Sequence, residues 1–197
     1  VHVFWGDERA VPPNHPDSNY RMVNEALLSH VSLPLQNVHR ILAEKNPDDA
    51  ARNYELTLRE FFADSILSGT ERSGVESKDV IAQDAIPQFD LILLGLGANG
   101  HTASLFPHTR VLRETQRWVA AEYIDEVKMY RITLTAPIIN AATNILWLVA
   151  GADKAETVRA VLRGAYRPDD LPAQLIQPTH GHAVWLLDES AASQIKK

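Results

Sequence analysis

Two near-continuous apolar runs constrain this chain more than any other feature. Asp90-Leu-Ile-Leu-Leu-Gly95 and Asn144-Ile-Leu-Trp-Leu-Val-Ala-Gly151 carry no polar residue between their ends. A strand with one wet face alternates apolar and polar residues, whereas these runs suit central strands of a parallel sheet covered on both faces. They predict strands over Phe89–Leu94 and Ile145–Ala150. Five further segments rich in Val, Ile, Leu and aromatics read as strands: Val1–Trp5, Val38–Leu42, Trp118–Tyr123, Tyr130–Thr135 and Ala183–Leu187.

Helical patterns fall between the strands. Asn19–Leu28 places Met22, Val23, Ala26 and Leu27 on one face, and Tyr54, Leu58, Phe61 and Phe62 recur at helical spacing in the next. That second helix has Asn46 as N-cap and Pro47 at its first position. A third spans Lys154–Leu162, with Asp153 and Glu156 spaced almost as a capping box and Gly164 as its stop. Ser68–Gln83 is polar and reads as a loop or insertion, and Arg167–Gln177, with Pro168 and Pro172, as irregular. Alternating strands and helices predict an α/β fold, a mostly parallel Rossmann-like sheet flanked by helices. The 197 residues form a single α/β domain over 1–197, without repeats or a linker.

Composition removes several classes of function. The formal charge of −6 argues against general nucleic-acid binding, which needs a basic face. The absence of cysteine excludes disulfides and thiolate catalysis. No apolar run approaches bilayer length. An anionic small substrate stays compatible, because it needs only a local cluster of cations.

Gly95-Leu-Gly97-Ala-Asn99-Gly100 matches G-x-G-x-x-G after an apolar strand. The dinucleotide reading fails on context: a fingerprint of that kind opens a full crossover helix, and the candidate helix His101–Phe106 meets Pro107 at once. The glycines suit a different ligand. A strand end, a glycine turn and a helix N-terminus expose backbone amides to an anion. His101 lies there, and a neutral imidazole can take a proton from water.

Four segments then carry a resemblance. Phe4-Trp-Gly-Asp7-Glu8-Arg9 with Val11-Pro-Pro13 and Asp17-Ser-Asn-Tyr20, Gly97-x-x-Gly100-His101-Thr-Ala-Ser-Leu-Phe-Pro107, Arg131-Ile-Thr-Leu-Thr135 with Pro137, Ile139 and Asn140, and Gly151-x-x-Lys154-Ala155 resemble, in order, the signatures of the 6-phosphogluconolactonases. The resemblance implies a carboxylic ester hydrolase opening 6-phospho-D-glucono-1,5-lactone to 6-phosphogluconate in the oxidative pentose phosphate pathway. It implies no cofactor, no metal and a cytoplasmic setting. The expected partner is the small sugar-phosphate lactone, with no nucleic acid and no membrane, and a monomer is favoured. His101 would be the general base. Arg9 would hold phosphate or the oxyanion, unless it forms a structural ion pair with Glu8. Arg131 and Lys154 would hold phosphate, and Gly97 and Gly100 would bind the substrate from the loop. Asp7 would orient Arg9, His101 or a substrate hydroxyl, or serve as a turn residue. Asn140 is open between capping and substrate contact. His15 and His108 are candidates for the rim, and His180-Gly-His182 resembles a metal pair without partners in sequence.

Two departures matter. Many members of that family carry Asp where this chain has Asn99, which removes a charge beside the base, unless Asp7 or Glu8 supplies it. The family's Gly-Ser-Thr phosphate loop precedes the first signature, and this sequence opens inside a strand, so a chain N-terminally truncated relative to the family is expected. The alternatives are a glucosamine-6-phosphate deaminase-like enzyme on the same fold, disfavoured by the lack of an acid over 102–107, and a non-catalytic sugar-phosphate binder.

Overall fold

The computed structural model describes residues 1–70 and 86–195. Strands are β1 Val3–Phe4, β2 Asp7–Arg9, β3 Val38–His39, β4 Ile92–Leu94, β5 Val119–Ile124, β6 Met129–Leu134, β7 Asn144–Val149 and β8 His182–Leu187. Helices are α1 Asn19–Ala26, α2 Pro47–Thr70, α3 Ala136–Asn140 and α4 Ala155–Arg163. The fold is α/β with two parallel groups, β1-β3 and β4-β7-β8, and one antiparallel group, β2-β6-β5. All seven expected strands occur. β2 is an additional strand: Gly6 is followed by extended chain pairing with β6, not by a turn. Its short polar sequence, Asp7-Glu8-Arg9, carries no strand periodicity, so only pairing reveals it.

Helix α2 forms where its signals lie. The Asn46 side chain accepts the amides of Asp48 and Asp49 at 3.1 and 3.3 Å, and Pro47 opens the first turn. Ala50, Ala51, Tyr54 and Leu58 are buried on one face. From that face the Tyr54 hydroxyl accepts the Trp5 amide and donates to the Trp5 carbonyl, at 2.8 and 3.0 Å. This bond pair fixes the chain just before β2. On α2, Glu55 also accepts the Trp118 and Val119 amides, anchoring the start of β5. Ser68–Thr70 close α2 as helix, and the rest of the expected 68–83 loop lies outside the described residues.

Other boundaries shift for physical reasons. Helix α1 packs through Tyr20 and Val23 while Met22, Ala26 and Leu27 are exposed, because its position is set by a cap and not by its apolar stripe. The buried Glu8 carboxylate accepts the amides of Asn19 and Tyr20, each at 2.7 Å, and the Ser18 hydroxyl. A carboxylate at a helix N-terminus satisfies orphan donors and complements the dipole. No capping box forms at α4. A short turn Ala152–Lys154 precedes it, and Asp153 pairs with Lys154 instead. Gly164 does end α4, its amide returning to Ala160. Segment 167–177 is irregular apart from one 3₁₀ turn, Pro172–Leu175.

Trp147, Ile145, Ile132, Leu58, Ile138, Ile139 and Val158 form the centre of the core. The parallel sheet β4-β7-β8 is not covered on both faces among the described residues. Ile92 and Leu94 point inward while Leu93, Leu148, Val184 and Leu186 are exposed on alternate positions. No helix among the described residues is long and apolar enough to cross a membrane.

Candidate active site

The glycine loop leaves the carboxyl end of β4, where ligands gather in open α/β sheets. It does not open a helix. Residues after His101 form a tight turn closed by the Leu105 amide on the Thr102 carbonyl at 2.9 Å, with Ala103 at φ 46°. The expected helix N-terminus is therefore absent, since His101–Phe106 is too short before Pro107 to pass nucleation. The loop's own amides are also committed. Gly97 donates to the His101 carbonyl at 2.8 Å and Gly100 to the Gly97 carbonyl at 3.0 Å. Gly97 and Gly100 thus shape the loop and do not present their amides to an anion. Gly100 needs its positive φ of 81°. At Gly97, a Cβ would lie 2.1 Å from His101 Nδ1. The bare glycine is what lets the imidazole lie against the loop.

Two contacts dock this loop on the antiparallel sheet. The Ser104 hydroxyl donates to Asp7 Oδ2 at 2.6 Å, and the Ser104 amide donates to Thr133 Oγ1 at 3.2 Å. Asp7 and Thr133 are cross-strand partners on β2 and β6. Two residues further along the same face stand Arg9 and Arg131, also directly paired. The docking therefore brings His101, three residues before Ser104, beside an arginine pair. The turn before α4 adds Lys154: on α4, Thr157 Oγ1 donates to the Ala98 carbonyl at 2.7 Å, tying the loop to the segment that follows β7.

The electrostatics follow from this assembly. Arg131, Lys154 and Arg9 all act on His101 and oppose its protonation. Burial is the largest cause and the upward pull of Glu126 the next, and burial with the three cations brings the imidazole down to about 4. His101 is therefore neutral at neutral pH. Its ring stacks on Phe106 at 4.0 Å between centroids. Arg9 makes no ion pair with Glu8, which takes Arg9's backbone amide instead. Arg9 Nη1 donates to the Asp17 carbonyl at 2.6 Å. The Nε atoms of both Arg9 and Arg131 are buried without a hydrogen-bond partner among the described residues. Like charges directly opposed across strands are unfavourable, and a buried unpaired donor costs about 1–3 kcal/mol. An anion between the two guanidiniums would relieve both penalties.

Asp7 is partly buried, and desolvation raises its pKa despite the Ser104 hydrogen bond and the two arginines. It bonds Ser104 and Asn19, and no bond joins it to His101. Asn99 does reach the histidine: Asn99 Oδ1 lies 2.6 Å from His101 Nδ1, and Asn99 Nδ2 donates to Glu126 at 2.7 Å. Glu126 was missed by sequence reasoning. It lies in the turn between β5 and β6 with no local pattern to mark it.

The other candidates lie elsewhere. Asn140 donates to the Leu175 carbonyl and accepts the Gln177 amide, so it ties α3 to the 175–177 segment. His15 receives the Asp17 amide, and His108 pairs with Asp170 at 3.5 Å. His182 begins β8 opposite Asn144. A recess of about 380 Å³ between Pro13, Asn14 and α1 contains none of the cluster around His101.

Comparison with known proteins gives a consistent result. Residues 1–185 match the family described as glucosamine-6-phosphate isomerases/6-phosphogluconolactonase. The chain is 40% identical to a 6-phosphogluconolactonase of Synechocystis sp., over 100% of this chain and 74% of that protein. It is 41% identical to a probable 6-phosphogluconolactonase 2 of Oryza sativa subsp. indica, over 98% and 67% respectively. The solved 6-phosphogluconolactonase of Trypanosoma cruzi superposes with a TM-score of 0.79 at 26% identity, over 100% of this chain and 73% of that one.

Proposed function

This chain belongs to the glucosamine-6-phosphate isomerase/6-phosphogluconolactonase family, and we propose that His101 is the general base with which it hydrolyses 6-phosphogluconolactone in the pentose phosphate pathway. The observation that carries the assignment is the convergence of a neutral, half-buried imidazole with two opposed arginines whose Nε donors lack partners. With Nδ1 turned to Asn99, Nε2 is left to accept a proton from water. The activated water adds to the lactone carbonyl. In this reading Arg9, Arg131 and Lys154 meet the two negative charges, the oxyanion and the phosphate. When the tetrahedral intermediate collapses, the ring oxygen leaves and takes the proton back from His101. Water is the only co-reactant, so the reaction as written needs no cofactor. The same reading takes the protein as a cytoplasmic monomer.

The direct test follows lactone opening against its spontaneous rate, with ammonia release from glucosamine 6-phosphate as control. Accelerated opening without ammonia is expected. Ammonia release without accelerated opening would reject the assignment. The pH profile is a further check. Protonation disables a general base, so kcat/KM should fall as pH drops through the His101 pKa. With that value brought down to about 4, activity should persist well below pH 6. An acid limb near the ordinary histidine pKa would contradict the neutral, cation-flanked site. Arg131→Ala should raise KM by at least about 10-fold, the loss expected when one partner of a charge-assisted contact is removed. It should leave the acid limb in place or move it slightly upward, because one opposing cation is gone.

A further inference from the structure

We propose that Glu126 is a positioning residue for His101, acting through Asn99 to select the imidazole tautomer and to steady the charge it acquires. The proposal rests on His101 being the base. Its geometry is a chain of two short hydrogen bonds, from Glu126 Oε2 to Asn99 Nδ2 at 2.7 Å and from Asn99 Oδ1 to His101 Nδ1 at 2.6 Å.

Each link has one permitted direction. An ionised carboxylate only accepts, so the Asn99 amide must turn its NH₂ toward Glu126. Its Oδ1 then faces His101, and the His101 backbone amide, which can only donate, meets that same oxygen at 3.2 Å. An amide oxygen only accepts, so Nδ1 must carry the proton and Nε2 must be bare. The base is therefore set through Asn99 by a residue 27 positions beyond that asparagine in the sequence.

The chain also carries charge. When Nε2 takes a proton, the imidazolium faces Arg131, Lys154 and Arg9, all unfavourable, and Glu126 is the counter-charge that favours it. Asn99 alone provides a dipole without charge. Glu126 thus supplies across a hydrogen bond what a carboxylate at position 99 would supply directly, a part that neither Asp7 nor Glu8 takes. Glu126 is exposed in a turn closed by the Val127 amide on the Ile124 carbonyl and the Lys128 amide on the Asp125 carbonyl. An exposed polar contact of this kind contributes little to stability, so its removal should be visible in catalysis and not in folding.

The test compares Glu126→Ala, Glu126→Gln and the double variant Asn99→Asp/Glu126→Ala with the wild type. Glu126→Ala should lower kcat by about 10-fold, the share of general-base catalysis lost when the base is mis-set in part of the population. KM should stay within about twofold and the acid limb of kcat/KM should move to lower pH. Glu126→Gln keeps an acceptor for Asn99 and loses the charge, so the limb should move while kcat falls less. The double variant places a carboxylate directly on Nδ1 and should recover both kcat and the limb. Wild-type kcat and limb in both single variants would overturn the proposal, as would a folded double variant no better than Glu126→Ala. Failure of the underlying reading is distinct: His101→Ala would then turn over like the wild type, whereas an inactive His101→Ala beside a fully active Glu126→Ala removes only Glu126.

Discussion

Replacing His101 with alanine should lower kcat for lactone hydrolysis by about 10²–10⁴-fold, the usual worth of a positioned general base. KM should change little, since phosphate and oxyanion contacts fall to Arg9, Arg131 and Lys154. The effect should be separable from misfolding. His101 is only half-buried, and the backbone bonds that close the loop, including Gly97 on the His101 carbonyl, do not involve its side chain. Removing the ring costs its stacking on Phe106 and its bond to Asn99, which together should lower stability by no more than about 1–3 kcal/mol. Denaturant unfolding alongside steady-state kinetics would show both numbers. Turnover within a few-fold of wild type in a folded protein would remove His101 as the base.

Gly97→Ala should be nearly as damaging although it deletes no functional group. The added methyl would sit 2.1 Å from His101 Nδ1, 2.2 Å from Cε1 and 2.8 Å from Cγ. These are ring atoms, held parallel to Phe106 and hydrogen-bonded to Asn99, so the imidazole must leave its position to make room. A displaced base loses the Asn99 bond that sets its tautomer and its distance to the reacting water, and misplacement of about 1 Å can cost about 10²-fold. A kcat loss of about 10²-fold or more is expected, with a stability loss of about 1–3 kcal/mol from overpacking. Retention of more than half the wild-type kcat would show that the ring can work from another position. Comparing this variant with His101→Ala separates the presence of the imidazole from its placement.

The contrast between those two variants also shows how far the sequence could be read. His101 was legible because a strand end, a glycine turn and a histidine stand together within a few residues. Gly97 was legible as a turn glycine, but the bond of its amide to the His101 carbonyl was not. Asp7 was legible as a carboxylate after a strand, yet its partner, Ser104, lies 97 residues away and turns it into a docking residue. Glu126 had no signal. Its neighbours Asp125, Val127 and Lys128 form an ordinary polar turn, and nothing local distinguishes a solvated glutamate from one bonded to Asn99.

The sequence by itself determined the parts that depend on neighbours in the chain. Apolar runs specified the strands, Asn46 and Pro47 specified the start of α2, and the glycine spacing with Pro107 excluded a crossover helix after the loop. These follow from side-chain periodicity, capping and backbone sterics, which act over a few residues. Tertiary structure alone decided which charges meet. The pairing of Arg9 with Arg131 depends on β2, a strand made by its partner and not by its own propensity. The docking of Ser104 on Asp7 and Thr133, and the reach of Glu126 to Asn99, depend on register and on the packing of one sheet against a loop from another. Electrostatic and hydrogen-bond energies fall steeply with separation and are blind to distance along the chain. The histidine proposed as the base was therefore visible in the sequence, and the cations and hydrogen bonds around it were not.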